Sequence, residues 1–520
     1  MAISLLKVLF HLQLLSPVKL FFFIRAARRN GINLMLLFSL IGKEDRVKIA
    51  LSDSREMLTY LQLQERCENL AGHLKTRCRI EAGQKVAFFC RNHASLVQAL
   101  FAASRLGAKL FLLNSSMSKS QFNRMVEEQD FGFLIYDEEF SGLIEASNYR
   151  HEKLLSYHEI KPAVSSLARQ KRIEEEVLKP VSGSQIILLT GGTTGKPKQV
   201  VHQPSIFTFL QPFCALLDRL KLANYHTGFI ATPVYHGYGI AILLALFALG
   251  KKVVIQDRFE VAAACRLIRE HQVEVATVVP LMVHKLLQHN AADLHSLKCI
   301  ASGGAKLNPI LVGEVKQRLG NVLYNLYGTS EAGLNIIATP EDLAYNPDTL
   351  GRLLHGGKLK VMADKEEVGH GVAGKFVFQN NWSMKNRESR WVETGDIGYR
   401  DNRGYCFYCG RTDDVIVCAG NNIHPLEVEA AAAAHPLIDD IAVIGIEDNY
   451  RGQRLKAFVQ CSPGCTLDEK ELMGWLRTQL ADFQVPREIV FVDELPYTAV
   501  GKLDRKKLQS GELHLLERRL

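Results

Sequence analysis

The sequence lacks the features that would place it in a simple structural class. No internal repeat and no low-complexity tract occurs in its 520 residues, which excludes solenoid architectures and extended disorder. Even the apolar N-terminal region contains no run of about 20 consecutive apolar residues, the length of a spanning helix. Because cores stop growing at about 250 to 300 residues, a chain of this length predicts two or more globular domains.

The cysteines do not form the pattern of a disulfide framework. Eleven cysteines in a chain of this size, with no signal-peptide cleavage pattern before them, indicate reduced thiols in the cytoplasm. The C-x-x-C pair of Cys406 and Cys409 has no second pair at the spacing of a four-ligand zinc site. Its surroundings, Gly404 to Gly410, are aromatic-rich and typical of a strand.

A concentrated charge of one sign is also missing. The net charge of +8, with an isoelectric point near 8.8, is mild and spread along the chain. Such a charge favours anionic substrates or an anionic membrane surface, and it is too diffuse to indicate nucleic acid. We therefore expect no nucleic-acid partner.

Residues 1–42 differ from the rest of the chain. Leu5 to Ile24 and Gly31 to Gly42 are apolar, and basic residues interrupt them, namely Lys7, Lys19, Arg25, Arg28 and Arg29. Apolar stretches with basic flanks are typical of a segment lying in the membrane interface, at the inner face of the membrane in a cytoplasmic protein. A helical hairpin packed on the protein's own surface is the alternative, and the basic flanks favour membrane contact.

From residue 85 onward, apolar strand-like runs alternate with amphipathic helical patterns, which predicts parallel sheets covered on both faces. After residue 350 the strands become shorter and glycine turns separate them. From about residue 414 a further βα pattern begins, so we place a domain boundary at Arg411 to Asp413. The predicted strands include Val86–Phe89, Lys109–Leu113, Phe133–Tyr136, Gly228–Ala231, Lys252–Gln256 and Val275–Val279, and the predicted helices include Ala94–Leu106, Lys119–Gln129 and Val261–His271.

The segment from Leu188 to Lys198 is the strongest functional signal. Glycines let backbone N–H groups approach phosphate oxygens, while hydroxyls and lysines add donors and charge. It is not the P-loop of nucleotide triphosphatases, since Thr190 stands where that pattern needs glycine and Pro197 where it needs Ser or Thr. The phosphate-contacting candidates are Thr190, Gly191, Gly192, Thr193, Thr194, Gly195, Lys196 and Lys198.

This loop and four later segments, in the same order, resemble the adenylate-forming enzymes, which include acyl-CoA synthetases, adenylation domains of peptide synthetases and luciferases. The resemblance covers roughly the whole chain from residue 50. It implies an α/β fold with a large N-terminal domain (residues 43–412) of two parallel-type α/β subdomains and a small β-barrel-like subdomain. A mobile, small α+β C-terminal domain (residues 413–520) would follow.

The resemblance also implies roles for residues in the first two later segments. Ser302 to Lys306, with Gly303, Gly304 and Ala305, would pass beside adenine. In the run from Tyr327 to Glu331, the tyrosine would pack on adenine, Ser330 would contact the α-phosphate and Glu331 would hold Mg²⁺, a hard cation that prefers carboxylates. Gly328 and Thr329 would lie close to the nucleotide.

The remaining segments supply ribose contacts, a hinge and a catalytic lysine. Asp396 and Arg411 would bind ribose, and Asp413 would be the hinge about which the small domain rotates. Lys502 would stabilise the charge that develops during adenylation. His236, within Tyr235 to Gly239, would line or gate the carboxylate pocket.

The expected activity is that of an acyl-CoA synthetase that uses ATP, Mg²⁺ and coenzyme A to activate a medium- or long-chain fatty acid. Cys90 to His93 and Leu326 to Leu343 look most like bacterial fatty acyl-CoA synthetases. Transfer of the acyl group to a carrier-protein thiol, or an impaired nucleotide-binding relative, are the alternatives. The departures from the family pattern are Gly191, where serine is usual, Gln199 and Val417.

Overall fold

Three β-sheets organise the chain, and the computed structural model describes them together with most of the connecting segments. It describes residues 2–171, 178–190, 198–202, 206–383, 390–418, 421–448, 452–462, 464–465, 467–498 and 502–510.

The strands are β1 (Ile49–Ser52), β2 (Met57–Thr59), β3 (Lys85–Phe89), β4 (Lys109–Leu112), β5 (Phe133–Tyr136), β6 (Glu152–Leu155), β7 (Gln185–Thr190), β8 (Lys198–His202), β9 (Thr227–Ile230), β10 (Lys252–Ile255), β11 (Val275–Val278), β12 (Cys299–Gly303), β13 (Leu323–Thr329), β14 (Gly333–Ala338), β15 (Thr349–Leu353), β16 (Lys358–Ala363), β17 (Glu366–Glu367), β18 (Gly374–Gln379), β19 (Val392–Arg400), β20 (Tyr405–Arg411), β21 (Ile416–Cys418), β22 (Asn421–Ile423), β23 (Ile438–Asp448), β24 (Gly452–Cys461) and β25 (Glu488–Val492).

The α-helices are α1 (Ala2–His11), α2 (Pro17–Asn30), α3 (Tyr60–Thr76), α4 (Ala94–Arg105), α5 (Lys119–Gln129), α6 (Ser141–Glu145), α7 (Val164–Arg169), α8 (Ile206–Asp218), α9 (Gly237–Ala248), α10 (Val261–His271), α11 (Pro280–Asn290), α12 (Pro309–Leu319), α13 (Pro340–Tyr345), α14 (Pro425–Ala433), α15 (Glu469–Gln479) and α16 (Arg505–Ser510).

The first sheet has six strands in the order β6-β5-β3-β4-β7-β8. Neighbouring strands are parallel as far as β7, and β8 pairs antiparallel with β7. Short runs of apolar residues form its central strands because both faces are covered, as the fully buried β5 illustrates. Residues 191–197 connect β7 to β8.

The second sheet has fourteen strands in the order β17-β16-β18-β19-β20-β15-β14-β13-β12-β11-β9-β10-β1-β2. The strands from β13 to β1 in this order are parallel, and those from β14 to β17 are antiparallel. The shorter, glycine-flanked strands predicted after residue 350 therefore extend the parallel sheet by hydrogen bonds.

The third sheet follows a short connection. Residues 412–415 lie between β20 in the large sheet and β21 in the small one, where strands run in the order β22-β21-β24-β23 with β25 beside β24. Helices α14 and α15 cover this sheet, and Val428, Leu472 and Leu476 are buried in its core. The predicted α/β class, with a large N-terminal and a small C-terminal domain, is confirmed.

The N-terminal segment consists of α1 and α2 joined by residues 12–16, and these two helices are called the hairpin below. Helix α1 packs on α8 through Val8, which is buried with Leu210, Cys214 and Leu217. Helix α2 has no buried residue. Within the part of the chain that is described, no helix is both long and apolar enough to cross a membrane.

All eleven cysteines are free thiols. Cys406 and Cys409 lie in β20, where burial raises the pKa of Cys406 to about 12 and also raises the pKa of Cys409. A thiol with a raised pKa is protonated at neutral pH and is a poor nucleophile and metal ligand.

Candidate active site

Several of the predicted site residues lie at or after the carboxyl ends of parallel strands, where ligands of open α/β sheets bind. His236 follows β9, Gly303 ends β12 with Gly304 directly after it, and Tyr327 lies in β13. Strands β9, β11, β12 and β13 are successive neighbours. Because neighbouring strands are about 4.8 Å apart, this order brings the acyl-site and adenine-site candidates to one edge of the sheet.

The turn from Pro233 to Gly239 places His236 at the N-cap of α9. The turn is tight, since a Cβ atom on Gly239 would lie 2.3 Å from the carbonyl oxygen of Pro233. His236 is half-buried, and burial, followed by the charge of Lys502, lowers its pKa to about 4. The imidazole is therefore neutral at physiological pH, beside the positive end of the α9 dipole.

Asn92 holds this turn against the six-stranded sheet, a role that the sequence analysis missed. Its buried side chain donates to the carbonyl oxygen of Thr232 at 3.0 Å and accepts from the N–H of Val234 at 2.8 Å. Asn92 follows β3 closely, and a polar residue just after a buried parallel strand was the available signal. Asn92 is a positioning residue, because it acts through the turn.

Three buried polar atoms at this edge have no hydrogen-bond partner among the described residues. They are Oγ1 of Thr232, Nε2 of His236 and Oγ of Ser302. Buried polar atoms in folded proteins are nearly always hydrogen-bonded, so such atoms are candidates for ligand contact.

The predicted adenine loop lies directly beside Tyr327. Gly303 pairs with Leu326 on the neighbouring strand, and a Cβ atom on Gly303 would lie 3.0 Å from the Leu326 carbonyl oxygen. Gly304 has φ +84°, a conformation that favours glycine. Tyr238 of α9 donates to the carbonyl oxygen of Ala301 at 2.6 Å, which joins the adenine side to the acyl side.

Thr329 ends β13, and Ser330 and Glu331 lie in the turn between β13 and β14. Thr329 accepts from the N–H of Ala332 at 3.0 Å, while Ser330 is exposed. The carboxylate of Glu331 interacts electrostatically with Asp396 and Lys502. A carboxylate at this edge fits the oxygen-donor chemistry that Mg²⁺ requires.

Asp396 is buried between two of the predicted nucleotide contacts. Tyr327 donates its hydroxyl to Oδ2 at 2.6 Å, and Nη1 of Arg411, the cross-strand partner of Asp396, lies 3.2 Å from Oδ1. Burial raises the pKa of Asp396, and the Tyr327 and Arg411 contacts oppose this shift. An oriented carboxylate with further lone pairs can accept both hydroxyls of a ribose.

Lys502 reaches the same edge from the C-terminal domain. Its pKa is lowered by desolvation and by the charge of Arg411, and the carboxylates of Asp396 and Glu331 act in the opposite direction. The residue remains exposed on one side. Thr498 holds its backbone, since the Lys502 N–H donates to the Thr498 hydroxyl at 3.2 Å and the Thr498 N–H donates to the Lys502 carbonyl at 2.8 Å.

The predicted phosphate loop is described only at its two ends. The backbones of Thr190 and Lys198 pair as the last residues of β7 and the first of β8. Gly191, Gly192, Thr193, Thr194, Gly195 and Lys196 lie outside the described residues. An ideal Cβ atom on Gly237 would be 3.3 Å from the Leu188 side chain, so β7 ends close to the acyl-site turn.

The connection between the sheets is lined by charged groups. Nη2 of Arg411 lies 3.7 Å from Asp413, the predicted hinge. Farther along, Arg505 lies 3.7 Å from Asp414 and 3.3 Å from Glu429, and donates to the carbonyl oxygen of Val443 at 2.5 Å. Arg505 therefore fixes the segment after Lys502 to the small sheet, a contact that the sequence analysis did not predict.

A group of potential metal ligands elsewhere is already engaged. Among the described residues, Cys90, His93 and Asp137 lie close enough to share an ion. The two ring nitrogens of His93 contact Asp137 at 2.8 Å and the N–H of Leu96 at 3.1 Å, which caps α4. Asp137 also accepts from the N–H of Arg91 and the hydroxyl of Ser156. We interpret this group as structural.

Comparison with protein-family models identifies both parts of the chain. A model described as "AMP-binding enzyme" matches residues 42–386, and one described as "AMP-binding enzyme C-terminal domain" matches residues 427–502. The first match alone covers most of the chain. ATP, Mg²⁺ and coenzyme A are the standard substrates and cofactors of the CoA ligases in this family.

Individual relatives give a more specific picture. The chain is 29% identical to the 2-succinylbenzoate–CoA ligase of Bacillus licheniformis and 28% identical to that of Bacillus subtilis, covering 89% and 90% of this chain and 96% of each relative. Both names denote an aromatic acid. They do not support the expected resemblance to fatty acyl-CoA synthetases.

Solved structures match over a similar extent. The o-succinylbenzoate CoA synthetase of Bacillus subtilis, in complex with its acyl-adenylate intermediate, superposes with a TM-score of 0.78 at 26% identity, covering 92% of this chain and 98% of that one. The anthranilate CoA ligase AuaEII in complex with anthranoyl-AMP gives a TM-score of 0.82 at 22% identity, over 92% and 97% of the two chains. The second match shows the shared fold.

Proposed function

Because this chain belongs to the AMP-binding enzymes, we propose that it joins an aromatic carboxylic acid to coenzyme A through an acyl-adenylate. The observation that carries the proposal is the convergence of Lys502, Glu331 and Arg411 on Asp396 from two domains. A lysine with a perturbed pKa and specific charge partners, at a strand edge that also carries a neutral histidine and orphaned polar atoms, is a candidate for a catalytic group.

In the first step, a carboxylate oxygen of the acid attacks the α-phosphorus of ATP. The bond from that phosphorus to the bridging oxygen breaks, and pyrophosphate leaves. Lys502 stabilises the negative charge that builds up on the pentavalent phosphorus. Glu331 would hold Mg²⁺, which would neutralise phosphate charge, and the residues from Thr190 to Lys198 would contact the phosphates.

The nucleoside is held by the neighbouring loops. Adenine lies between Tyr327 and the loop of Gly303, Gly304 and Ala305, and Asp396 accepts hydrogen bonds from the ribose. The acid lies before α9, where the neutral imidazole of His236 adds no charge and the first N–H groups of the helix stabilise a carboxylate.

The second step needs a different domain orientation. Lys502 must leave so that the thiol of coenzyme A can attack the acyl carbon and displace AMP. We place the hinge at Asp413, between the domains 43–412 and 413–520, because residues 412–415 join the two sheets.

Two observations support an aromatic acid as the substrate. The 2-succinylbenzoate–CoA ligases match this chain over nearly its whole length. The orphaned atoms of Thr232, His236 and Ser302 favour an acyl group with polar substituents over a plain alkyl chain, since an alkyl chain leaves buried polar atoms unpaired.

Acid-dependent ATP–pyrophosphate exchange tests the proposal. We expect exchange with 2-succinylbenzoate or a related aromatic acid to exceed exchange with octanoate and palmitate. Lys502→Ala should lower the exchange rate on the order of 10²–10³-fold, because it removes transition-state charge stabilisation. Lys506→Ala, which removes an exposed lysine from α16, is the matched control and should leave the rate unchanged.

An assay of the second half-reaction alone distinguishes a loss of catalysis from a loss of folding. Lys502→Ala supplied with the synthetic acyl-adenylate and coenzyme A should still form the thioester, because Lys502 acts only in adenylation. Stronger exchange with fatty acids would contradict the aromatic assignment. ATP binding without pyrophosphate exchange for any acid would show that the chain is a catalytically impaired relative. Thioester formation on a carrier protein but not on coenzyme A would contradict coenzyme A as the acceptor.

A further inference from the structure

The hairpin of α1 and α2 presents an apolar surface that the rest of the chain does not cover. Half of the large apolar side chains that are exposed among the described residues lie between residues 6 and 32, in this hairpin and directly after it, namely Leu6, Phe10, Leu15, Val18, Leu20, Phe21, Phe22, Ile24 and Ile32. Helix α2 has no buried residue at all. A concentration of exposed apolar side chains of this kind marks an interaction surface.

The hairpin is fixed to the large domain at both ends. At its start, Val8 packs on α8 and Lys7 lies 2.9 Å from Asp218. At its end, the Val181 N–H donates to the Asn30 carbonyl at 3.2 Å, and Gly31 has φ +81° with no room for a Cβ atom beside Val181. The apolar side chains are thus held outward on a defined surface.

A basic cavity of about 600 Å³ lies at the foot of the hairpin. One wall is formed by the end of α1, the following turn and Lys19 of α2, and the other by the amino ends of β1, β9 and β10. The charged or titratable side chains in its lining are Lys19, Lys48, Lys251, Lys252, His11, His226 and Asp45.

Positive charge in this cavity exceeds negative charge. The lining contains four lysines and a single carboxylate, that of Asp45, which is paired with Lys48 at 2.6 Å. The other three ammonium groups also have partners, namely the Gln13 side chain for Lys19, the Ala223 carbonyl oxygen at 2.7 Å for Lys251 and the His271 ring at 2.9 Å for Lys252. Desolvation lowers the pKa of Lys251 and Lys252, so the protein interior already opposes the positive charge there. An anion bound in the cavity would stabilise the charged form of these lysines.

The cavity is separate from the candidate active site. It lies at the amino ends of β9 and β10, whereas His236 and the nucleotide-site candidates follow the carboxyl ends of the strands. The anion that fits this cavity is therefore not the ATP of the catalytic reaction.

We infer that the hairpin and the cavity together bind an anionic phospholipid bilayer, with the apolar side chains in the acyl boundary and a lipid phosphate in the cavity. An interfacial helix with apolar and basic residues binds in this way, and Arg25, Arg28 and Arg29 of α2 add positive charge beside the surface. Charge complementarity selects a bilayer over a second copy of this chain, whose net charge is +8. The inference does not depend on the proposed ligase activity.

Co-sedimentation of the full chain with vesicles tests the inference. We expect binding to vesicles of phosphatidylcholine with phosphatidylglycerol, and much weaker binding to phosphatidylcholine alone. The double variant Phe21→Ser/Phe22→Ser should lose binding. Lys19→Gln/Lys48→Gln should weaken it on the order of thirtyfold, since each basic residue contributes about a fivefold factor near an anionic surface.

Two matched double variants control for composition and charge. Lys358→Gln/Lys375→Gln removes the same charge from exposed positions on β16 and β18, and Val372→Ser/Phe483→Ser removes exposed apolar side chains elsewhere. Both should bind vesicles as the original chain does, and circular dichroism should show all variants folded. Three results would each overturn the inference. They are equal binding to neutral vesicles, no vesicle binding at all, and a concentration-dependent dimer that only Phe21→Ser/Phe22→Ser abolishes.

Discussion

Asp396 is the residue at which three separate chain segments meet. Tyr327 contacts it from β13, Arg411 from the neighbouring strand, and the charge of Lys502 acts on it from the small domain. Because the carboxylate is buried, its ionisation depends on these partners. The hydroxyl of Tyr327 thus affects both the position and the charge of Asp396.

Tyr327→Phe tests this dependence. The substitution keeps the ring that would pack on adenine and removes the hydrogen bond to Asp396, so we expect KM for ATP to rise by roughly tenfold. The pKa of Asp396 is already raised by burial and should rise further. Since activity needs the carboxylate ionised, activity falls as pH falls through this pKa, and the acid limb of the pH–rate profile should move to higher pH.

Tyr399→Phe is the control for this experiment. Tyr399 lies in the same strand as Asp396 and stacks on Phe407 at a ring-centroid distance of 4.8 Å. An unchanged acid limb in Tyr327→Phe would show that the hydroxyl does not tune Asp396.

Motifs in the sequence predict single residues of the candidate site, and their roles stay predictions. Lys502, Glu331, Asp396 and Arg411 were named from the sequence, and the structure brings them to one edge. The bond from Tyr327 to Asp396 was not predictable, because it spans 69 residues and depends on how two antiparallel strands align with the parallel sheet.

The turn between β9 and α9 is the element on which the acyl side of the site depends. Its backbone is fixed by Asn92 on one side and by the close approach of Gly239 to Pro233 on the other. The position of His236 is therefore set by residues that do not contact the substrate.

Asn92→Asp tests the turn. Aspartate keeps the shape and the acceptor for the Val234 N–H, but it replaces the donor to Thr232 with an acceptor facing a carbonyl oxygen. We expect kcat/KM for the acid to fall by roughly 10- to 100-fold, while KM for ATP changes little. Asn92→Ala should show the same direction. Equal losses for acid and ATP would indicate general unfolding and contradict a positioning role.

Element types followed from periodicity to within a few residues. Lys119–Gln129 and Val261–His271 match the predicted helices, and Phe133–Tyr136 matches a predicted strand. Strands β1 and β2 were missed, since the predicted alternation began only at residue 85. Short apolar runs near the N-terminus gain their strand pairing from β10, about 200 residues later, which local pattern does not reveal.

At the scale of the whole molecule, two ion pairs among the described side chains join the large domain to the small one away from the Arg411–Asp413 contact at the connection itself. Nε2 of His284 lies 3.5 Å from Asp439, and Nζ of Lys285 lies 3.0 Å from Glu494. Both lysine and histidine belong to α11. The contact with Asp439 raises the pKa of His284, with Glu314 and Asp440 adding to the shift, and lowers the pKa of Asp439.

Because of the His284–Asp439 pair, we expect the domain orientation that brings Lys502 to the site to depend on pH. Contact between the two domains raises the pKa of His284. The pair therefore stabilises this domain orientation fully below the ordinary histidine pKa, and the stabilisation is lost as pH rises through the raised pKa. We expect adenylation to slow by about two- to fivefold over that range, since the pair is partly exposed.

His284→Asn should remove this pH dependence and lower the adenylation rate at acidic pH to the value seen at alkaline pH. His289→Asn, on the same helix, is the matched control. Added salt should reduce the difference between the original chain and His284→Asn, because it screens exposed charges. A pH dependence that persists in His284→Asn would assign it to another group.

The raised pKa values of the buried thiols in β20 have a consequence for the proposed chemistry. An acyl-adenylate reacts with thiolates, and coenzyme A must compete with every thiolate that the protein itself offers. Cys406 and Cys409 lie in β20, the strand that ends at Arg411, and burial raises the pKa of both. They remain protonated at neutral pH, so burial of sulfur protects the enzyme from acylating itself.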